Sequence, residues 1–250
     1  VNVKEGSYSE LTNMPGAAWC CEISEDGKTV LTRSMDRENF THNIYTIDVA
    51  TKKATPVIEN IDHINNMTFS KGVVQLAHNG GKLLQQKVAD VATPLKPNNN
   101  VLLTTEDLKL VLYVNGVRNM IDPLAGQFED WDPQYIWPSL SPDGKTILFY
   151  CRDAAYTCDL GGKNVNRIGR IQGPQWIDNE HIVGMDGTHD GYFYEKNEIF
   201  ACKIDGTQRQ QLTSSADKEI KMLPAVSADG SQIAYYTQSG KLFLMTIKKK

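Results

Sequence analysis

Hydrophobic and polar positions alternate along most of the chain in short runs, without the spacing of three to four residues that indicates helices. The clearest example is WPSLSPDGKTILFY at residues 137–150, where two apolar segments flank Ser-Pro-Asp-Gly-Lys. Proline, aspartate and glycine in this order favour a tight turn, and Gly144 supplies the permissive backbone. The segment therefore predicts two antiparallel strands joined by a short turn.

The same phrase occurs twice more, as CEISEDGKTVL at 21–31 and PAVSADGSQIAYY at 224–236. Degenerate copies are found around Ser70, Thr104 and Ile177. The six copies are spaced about 41 residues apart on average, which is the length of a four-stranded propeller blade. The repeat predicts an all-β chain folded as a six-bladed β-propeller of four-stranded antiparallel blades.

The two ends of the sequence predict how such a ring closes. SELTNMPG at 9–16 precedes the first repeat as QQLTSSAD at 210–217 precedes the last, and the last repeat ends one strand short. We expect a strand near residues 3–11 to complete the C-terminal blade and remove its exposed edge. The whole of 1–250 is then a single propeller domain, with about 1–12 belonging to the last blade.

The three clear copies, SPDGKTILFY, SEDGKTVL and SADGSQIAYY, resemble the repeat of TolB-like β-propellers. Related repeats occur in the propellers that accompany prolyl-oligopeptidase-type hydrolases, whose nucleophile lies in a separate domain. The sequence has no GxSxG nucleophile motif, so the resemblance does not imply that activity. It implies a periplasmic or secreted bacterial protein, and a first residue Val1 rather than Met agrees with a removed leader.

Composition restricts the function further. The formal net charge is −4 and the pI is about 5.8, which supplies no basic face for nucleic acid. No run approaches the roughly 18 apolar residues of a membrane helix. The five cysteines include no CxxC pair, which excludes a zinc finger. We expect a monomer without a cofactor.

Three segments interrupt the repeat: 34–43 in the first blade, 184–197 in the fifth, and 121–138 before the fourth. We expect them to form long loops on the face opposite the Asp-Gly turns, where binding residues usually lie. Their aromatic and acidic side chains suit a sugar, a peptide or a partner protein. The candidate ligand-binding residues are Asp36, Arg37, His42, Trp131, Asp132, Tyr135, Asp186, His189, Asp190 and Tyr192.

A structural interpretation of these segments stays open, in which the aromatic side chains anchor the loops and the charges face water. A metal site among Asp186, His189 and Asp190 is not predicted, because their spacing matches no ligand motif and both aspartates precede glycine as in turns. The segments thus predict a binding surface and no metal.

Cys151 and Cys158 lie in the hairpin FYCRDAAYTCDL. If its turn is at Ala154-Ala155, the two cysteines oppose each other at a Cα separation of about 4.5 Å, within reach of a disulfide. A cross-strand disulfide would agree with an oxidising compartment, and two buried thiols are the alternative.

These observations predict a non-catalytic binding or scaffold propeller that recognises a protein, peptide or glycan through its loop-rich face. The alternative is a hydrolase or lyase acting on a polysaccharide, with carboxylates or a metal over the central channel. An enzyme of that kind should bring two or more acidic groups from different blades together in one pocket, whereas a binding module should show a broad aromatic patch.

Overall fold

The fold was examined in a computed structural model. It describes residues 7–17, 21–24, 26–62, 64–70, 72–78, 82–88, 101–190, 193–214 and 218–248. Within these ranges the chain contains 21 strands and no helix, and the strands form six separate antiparallel sheets. The all-β prediction is therefore confirmed.

The chain divides into two compact units, described separately below. Unit 1 comprises residues 1–106 and 111–120, and unit 2 comprises 107–110 and 121–250. That one domain covers 1–250 stays a prediction.

Three sheets begin in unit 1. The first has the order β1-β2-β3-β4, the second β5-β6-β7 and the third β10-β9-β8. Their strands are β1 Cys21–Ile23, β2 Thr29–Asp36, β3 Thr41–Asp48, β4 Ala54–Ile61, β5 Ile64–Ser70, β6 Val73–His78, β7 Lys82–Lys87, β8 Val101–Glu106, β9 Lys109–Val114 and β10 Val117–Ile121.

Three further sheets lie in unit 2. Two have four strands, in the orders β11-β12-β13-β14 and β15-β16-β17-β18, and the last has the order β19-β20-β21. Their strands are β11 Tyr135–Leu140, β12 Thr146–Cys151, β13 Ala154–Asp159, β14 Asn166–Gly169, β15 Gln172–Trp176, β16 His181–His189, β17 Tyr194–Lys203, β18 Gln210–Gln211, β19 Lys221–Val226, β20 Gln232–Thr237 and β21 Leu242–Thr246.

Apolar side chains pack neighbouring sheets together within each unit. In unit 1, Leu31 and Ile44 of the first sheet are buried with Met67 and Leu76 of the second. In unit 2, Leu148 and Tyr150 pack with Ile182. The alternation of apolar and polar positions along each strand directs one side chain in two into these cores.

The Asp-Gly turns owe their geometry to the serine that precedes them. The Ser141 hydroxyl donates to Asp143 Oδ1 (2.7 Å) and accepts from the Thr146 amide (3.0 Å). Gly144 has a φ of 71°, in the left-handed region that favours glycine. Ser24 and Ser227 make the same pair of bonds in their own turns. The phrase is thus a turn motif, as predicted.

Two of the three expected long loops are instead short hairpins. Strand β2 continues to Asp36 and β3 begins at Thr41, so only residues 37–40 form the turn. Likewise β16 continues to His189 and β17 begins at Tyr194. The predicted loop residues continue the ladder between their strands, because this satisfies their backbone groups by pairing. The third segment is a true connection, irregular from 122 to 134.

The expected disulfide register is wrong. The hairpin turns at Arg152-Asp153, so Cys151 is opposite Ala154 and Cys158 is opposite Ile147. Arg152 adopts a φ of 55° in this turn, which leaves Ala154 and Ala155 inside the strand, where they are buried. Cys151 and Cys158 are free, buried thiols. Burial raises the pKa of both, to about 12 for Cys158.

The predicted closing strand is described only in part. Residues 3–6 lie outside the described residues, Ser7 forms an isolated bridge, and residues 8–11 belong to no strand. The last sheet has three strands in the described part of the chain.

Candidate functional site

The sheets of unit 2 have two chemically different ends. We call the end that carries the Asp-Gly turns the turn end. The opposite end contains the β12–β13, β16–β17 and β20–β21 hairpins and the first residues of β11, β15 and β19, and we call it the hairpin end. All predicted candidate residues of unit 2 that the structure describes lie at the hairpin end or in the connection 122–134 that leads into it. Tyr192 lies outside the described residues.

The three candidates in unit 1 belong to the β2–β3 hairpin. Asp36 accepts hydrogen bonds from the amides of Glu38 (2.9 Å) and Asn39 (3.2 Å) and from the Asn39 side chain (2.9 Å). The bond from the Asn39 side chain contributes most to holding the pKa of this carboxyl below its usual value. Arg37 is exposed at the tip, whereas His42 is buried in the strand. Asp36 therefore acts as a turn-forming residue here.

A polar network holds the connection 122–134 against unit 2. Lys109 Nζ lies 2.9 Å from Asp122 and 2.7 Å from Asp132. The fully buried Tyr135 donates its hydroxyl proton to Asp122 and accepts from the Leu124 amide at 3.0 Å. Burial and the hydrogen bond to Asp122 raise the pKa of Tyr135 far above its ordinary value. Asp132 and Tyr135 are thus engaged in anchoring the connection.

Trp131 packs within the same connection. Its ring meets that of Phe128 edge to face at 5.5 Å between centroids. The Arg152 guanidinium lies over the Phe128 ring, 5.2 Å from its centroid. Trp131 therefore serves as a hydrophobic anchor, as the structural interpretation of the sequence expects.

Asp186 lies between two arginines. Arg170 Nε is 3.1 Å from Asp186 Oδ1, and Arg209 Nη2 is 2.6 Å from Oδ2. Arg170 also donates to the Gly187 carbonyl, and the Arg209 guanidinium stacks 4.5 Å above the Phe200 ring. One carboxylate thus orders two cations at the hairpin end.

His189 and Asp190 end the β16–β17 hairpin. The His189 ring meets that of Tyr194 edge to face at 5.9 Å. Asp190 accepts a hydrogen bond from the Phe193 amide at 2.7 Å, which forms the turn. Among the described residues no three histidine, cysteine or acidic side chains form a group that could hold a metal ion.

Aromatic side chains connect the three sheets of unit 2 at the hairpin end. Trp137 packs against Tyr150 at 5.4 Å between centroids, and Tyr150 is buried with Ile182 of the neighbouring sheet. The Tyr194 hydroxyl donates to Gln172 Oε1 at 2.9 Å, and its ring packs in a cluster with Ile233 of the last sheet, in which Tyr236 lies opposite Leu242. Burial raises the pKa of Tyr150 and Tyr194, so both phenols stay protonated at neutral pH. We call Trp137, Tyr150, Tyr194 and Tyr236 the aromatic row.

A repeated bulge presents side chains beside this row. In β11, β15 and β19 two residues oppose one on the neighbouring strand, at 137–138, 173–174 and 223–224. The second of each pair is a proline, which has no amide to donate to a ladder, and bulges are where strands accommodate it. The first residue of each pair has a positive φ: 53° at Trp137, 56° at Gly173 and 37° at Leu223.

The bulge turns Trp137 and Leu223 outward. Trp137 is 40% exposed and Leu223 is 43% exposed. Gly173 holds the same bulge position in β15. A Cβ at Gly173 would lie 3.2 Å from Leu223 Cδ2, so the missing side chain leaves room for Leu223. Phe193, Tyr236 and Leu242 are also exposed at this end. Sequence reasoning missed Trp137 and Leu223, although the proline after each was a visible signal.

The turn end carries a shallow cleft of about 340 Å³ between the fourth and fifth sheets. Asp159 and Asp205 line it, but each accepts hydrogen bonds from its own turn: Asp159 from the Gly161 and Lys163 amides, and Asp205 from Thr207. The pKa of both carboxyls is consequently lowered. These carboxylates are structural.

The described residues contain no helix long and apolar enough to cross a membrane. No family model matches the sequence, and no curated protein is similar to it at a significant level.

Solved structures are similar in fold. The β-propeller domain of Cps50 (Swd1) from Myceliophteria thermophila superposes with a TM-score of 0.60 at 14% identity, covering 94% of this chain and 84% of that one. A putative TolB from Agrobacterium tumefaciens gives a TM-score of 0.56 at 16% identity over 98% of this chain and 83% of that one. The β-propeller domain of the Trilobed protease from Pyrococcus furiosus gives 0.57 at 12% identity, over 94% and 82%. At these identities the likeness shows the fold alone, and that fold is the β-propeller.

Proposed function

We propose that this chain is a non-catalytic binding propeller of the TolB-like type. Its six sheets are the six blades of one ring, and it recognises a protein, peptide or glycan through the hairpin end of unit 2. The observation that carries the proposal is the pair of matched bulges that exposes Trp137 and Leu223 beside the aromatic row.

The bulges support binding because they combine backbone strain with exposed apolar side chains. A left-handed backbone costs a residue other than glycine roughly 1–2 kcal/mol, and a following proline restricts the backbone further. Trp137 and Leu223 adopt this backbone while their large apolar side chains stay 40% and 43% exposed. Backbone strain combined with apolar exposure is typical of functional surfaces.

The contacts of the candidate carboxylates support the catalytic alternative less well than the exposed side chains support binding. Asp36 and Asp190 accept backbone hydrogen bonds within turns, while Asp132 pairs with Lys109 and Asp186 with two arginines. A hydrolase or lyase needs an acid and a base that converge on one substrate bond.

The test uses the Trp137→Ala/Leu223→Ala double variant as bait beside the wild type. Both proteins are immobilised, incubated with an envelope extract of the source organism, and separately applied to a glycan array. We expect a partner that the wild type retains and the double variant loses by at least about tenfold, since central aromatic and aliphatic anchors dominate interfaces.

The matched control is Ile23→Ala/Val117→Ala, which truncates two apolar side chains of unit 1 that are 58% and 62% exposed. It should retain the partner as the wild type does. Equal retention by all three proteins would refute the proposed surface. Release of shorter fragments from a polysaccharide by the wild type would favour the enzyme alternative.

Ring closure, location and oligomeric state form part of the same proposal. We propose that residues 1–12 complete the last blade against β21, in an exported monomer. Deletion of these residues should then speed hydrogen exchange in β21 and lower the melting temperature. Unchanged exchange in β21 would contradict closure, and a cytosolic protein or a dimer in the source organism would contradict the other two points.

A further inference from the structure

We infer that the ligand of the hairpin end is an extended peptide segment in which a carboxylate side chain follows aromatic or aliphatic residues, with the carboxylate received by Arg170 and Arg209. This inference rests on the proposed function, because it takes the hairpin end as the binding surface. It narrows the proposed ligand from a protein, peptide or glycan to a peptide. It also names Arg170 and Arg209 as the residues that bind the acidic group of that peptide.

The two arginines are held in place and keep donors available. Asp186 binds Arg170 through Nε at 3.1 Å and Arg209 through Nη2 at 2.6 Å. A guanidinium carries five N–H groups in a fixed plane, which is more than these described bonds use. The side chains of Arg170 and Arg209 are 48% and 32% exposed, so they are both ordered and accessible.

The exposed charges around this point do not cancel. Arg167 forms a separate neutral pair with Asp153 at 3.3 Å. Arg170 and Arg209 share the partly exposed Asp186 carboxylate, so these three accessible groups carry a net charge of +1, whereas Glu198, opposite Asp186 across the ladder, is buried and accepts a hydrogen bond from Thr213. Arginine suits planar, bidentate recognition of carboxylates. A local excess of cations therefore favours an acidic group on the ligand.

The cationic site adjoins the aromatic row. Arg170 directly precedes Ile171, which is buried with Tyr150, and Tyr150 packs against Trp137. Gln172, the next residue after Ile171 along the chain, accepts the hydrogen bond from Tyr194. A ligand that covers Trp137 and Leu223 can thus extend toward Arg170 along the ends of two adjacent sheets.

The apolar part of the surface favours a peptide over a glycan. Glycans present hydroxyl groups that need hydrogen-bond partners when they are desolvated. At this surface the Tyr194 hydroxyl is already engaged, since it donates to the Gln172 amide oxygen. The exposed groups here are the side chains of Trp137, Phe193, Leu223, Tyr236 and Leu242, which suit aliphatic and aromatic peptide side chains.

The experiment selects a random dodecapeptide phage library on the full chain, with counter-selection on Trp137→Ala. We expect enriched sequences with Asp or Glu next to aromatic or aliphatic residues. The same selection on Arg170→Met/Arg209→Met should keep the apolar residues and lose the acidic one. The control is Lys145→Met/Lys163→Met, which removes the same charge from the turn end and should leave the acidic preference intact.

The outcomes separate this inference from the proposed function. Enriched apolar peptides without an acidic preference would overturn the role of the arginines and leave the binding surface standing. No enrichment over Trp137→Ala would overturn both, and a glycan-array signal that Trp137→Ala abolishes would overturn the peptide class alone. On the wild type, a selected peptide should bind with a Kd about tenfold lower than its Asp→Asn or Glu→Gln counterpart. On the double arginine variant, the two peptides should have the same Kd.

Discussion

The two ends of the unit 2 sheets use their backbone in opposite ways. At the turn end, glycines occupy the left-handed positions of the Asp-Gly turns and aspartates accept hydrogen bonds from their own turns, as Gly144 and Asp143 do. At the hairpin end, Trp137 and Leu223 occupy left-handed positions inside strands and their side chains are exposed. The left-handed Asn164 and Gln208 of the turn end lie in connections between strands. The same strands thus connect an end with relaxed Asp-Gly turns to an end with strained bulges, and for this reason we propose the hairpin end for recognition.

The largest expected effect tests how relaxed the turn end is. A Cβ at Gly230 would lie 2.3 Å from the Ile177 carbonyl oxygen, whereas one at Gly144 would meet nothing within 4 Å. Both residues have a positive φ. We expect Gly144→Ala to lower the free energy of unfolding by about 1 kcal/mol from backbone strain, and Gly230→Ala by about 3 kcal/mol from strain plus overlap.

Urea unfolding of the two variants and the wild type measures this difference. Equal losses would mean that the Gly230 turn moves away from Ile177 at little cost. In that case the neighbouring sheets would be less firmly packed at the turn end than their contacts indicate.

A smaller effect tests the strain at the hairpin end. Trp137→Ala and Trp137→Gly both remove the indole, so they lose the same packing against Tyr150. Glycine adopts the left-handed conformation without the Cβ penalty. Trp137→Gly should therefore be more stable than Trp137→Ala by about 1 kcal/mol, the reverse of the usual order within strands.

Thermal unfolding of this pair gives the answer, with Phe149→Ala and Phe149→Gly as the reference pair on the opposing strand. Phe149 is fully buried and lies opposite the bulge. There the glycine variant should be the less stable of the two. If alanine is preferred at both positions, the bulge at Trp137 is not strained.

The smallest expected effect concerns the stability of the fold at low pH. Hydrogen bonds, first from the Ser227 hydroxyl and then from the Ser231 amide, lower the pKa of Asp229 from 3.8 to about 2. Because the folded-state pKa lies below the unfolded one, the ionised carboxyl stabilises the fold above about pH 4, and this contribution is lost as pH falls toward about 2. The stability advantage of the wild type over Asp229→Asn should shrink across that range.

Unfolding curves at several pH values between about 5 and 2 measure this advantage. Lys248→Gln, a change in the C-terminal lysines, should show no such trend relative to the wild type. Parallel pH profiles for the wild type and Asp229→Asn would mean that the turn does not depend on the carboxylate charge.

The repeat was predictable from sequence because it depends on local turn chemistry. Ser24, Ser141 and Ser227 each lie directly after the first strand of a sheet. Of the eroded anchors, Ser70 ends such a strand and Ile177 follows one, whereas Thr104 lies inside β8. A serine hydroxyl that bridges its own turn leaves its signal within six residues. For this reason the positions of the strands could be derived without an alignment.

The hairpin lengths and the cysteine register could not be derived in this way. Whether residues 34–36 continue β2 or form a loop depends on pairing with β3, which no local motif specifies. For Cys151 and Cys158, the two-residue turn at Arg152-Asp153 shifts the register away from the expected one at Ala154-Ala155. A shift of this kind changes which residues face each other along the whole hairpin.

The predicted candidate residues of unit 2 that the structure describes lie at or near the end of the sheets that we propose for binding, but most of them make structural contacts. Acidic residues such as Asp132 and Asp190 suggested chemistry, but the structure uses them for anchoring and turns. Trp137 and Leu223 read as ordinary strand residues, because alternation along a strand assumes a regular pleat. Only the bulge, marked by the proline that follows, turns them outward.

The bulges have a consequence for how this surface can diverge. Positions 137, 173 and 223 lie in the first strands of the three sheets of unit 2, yet none of them pairs across the ladder. Tryptophan, glycine and leucine stand there in one molecule. Mutation at these three positions can therefore change the proposed binding surface while the hydrogen-bonded framework stays as it is, so that such a surface can acquire new partners without a new fold.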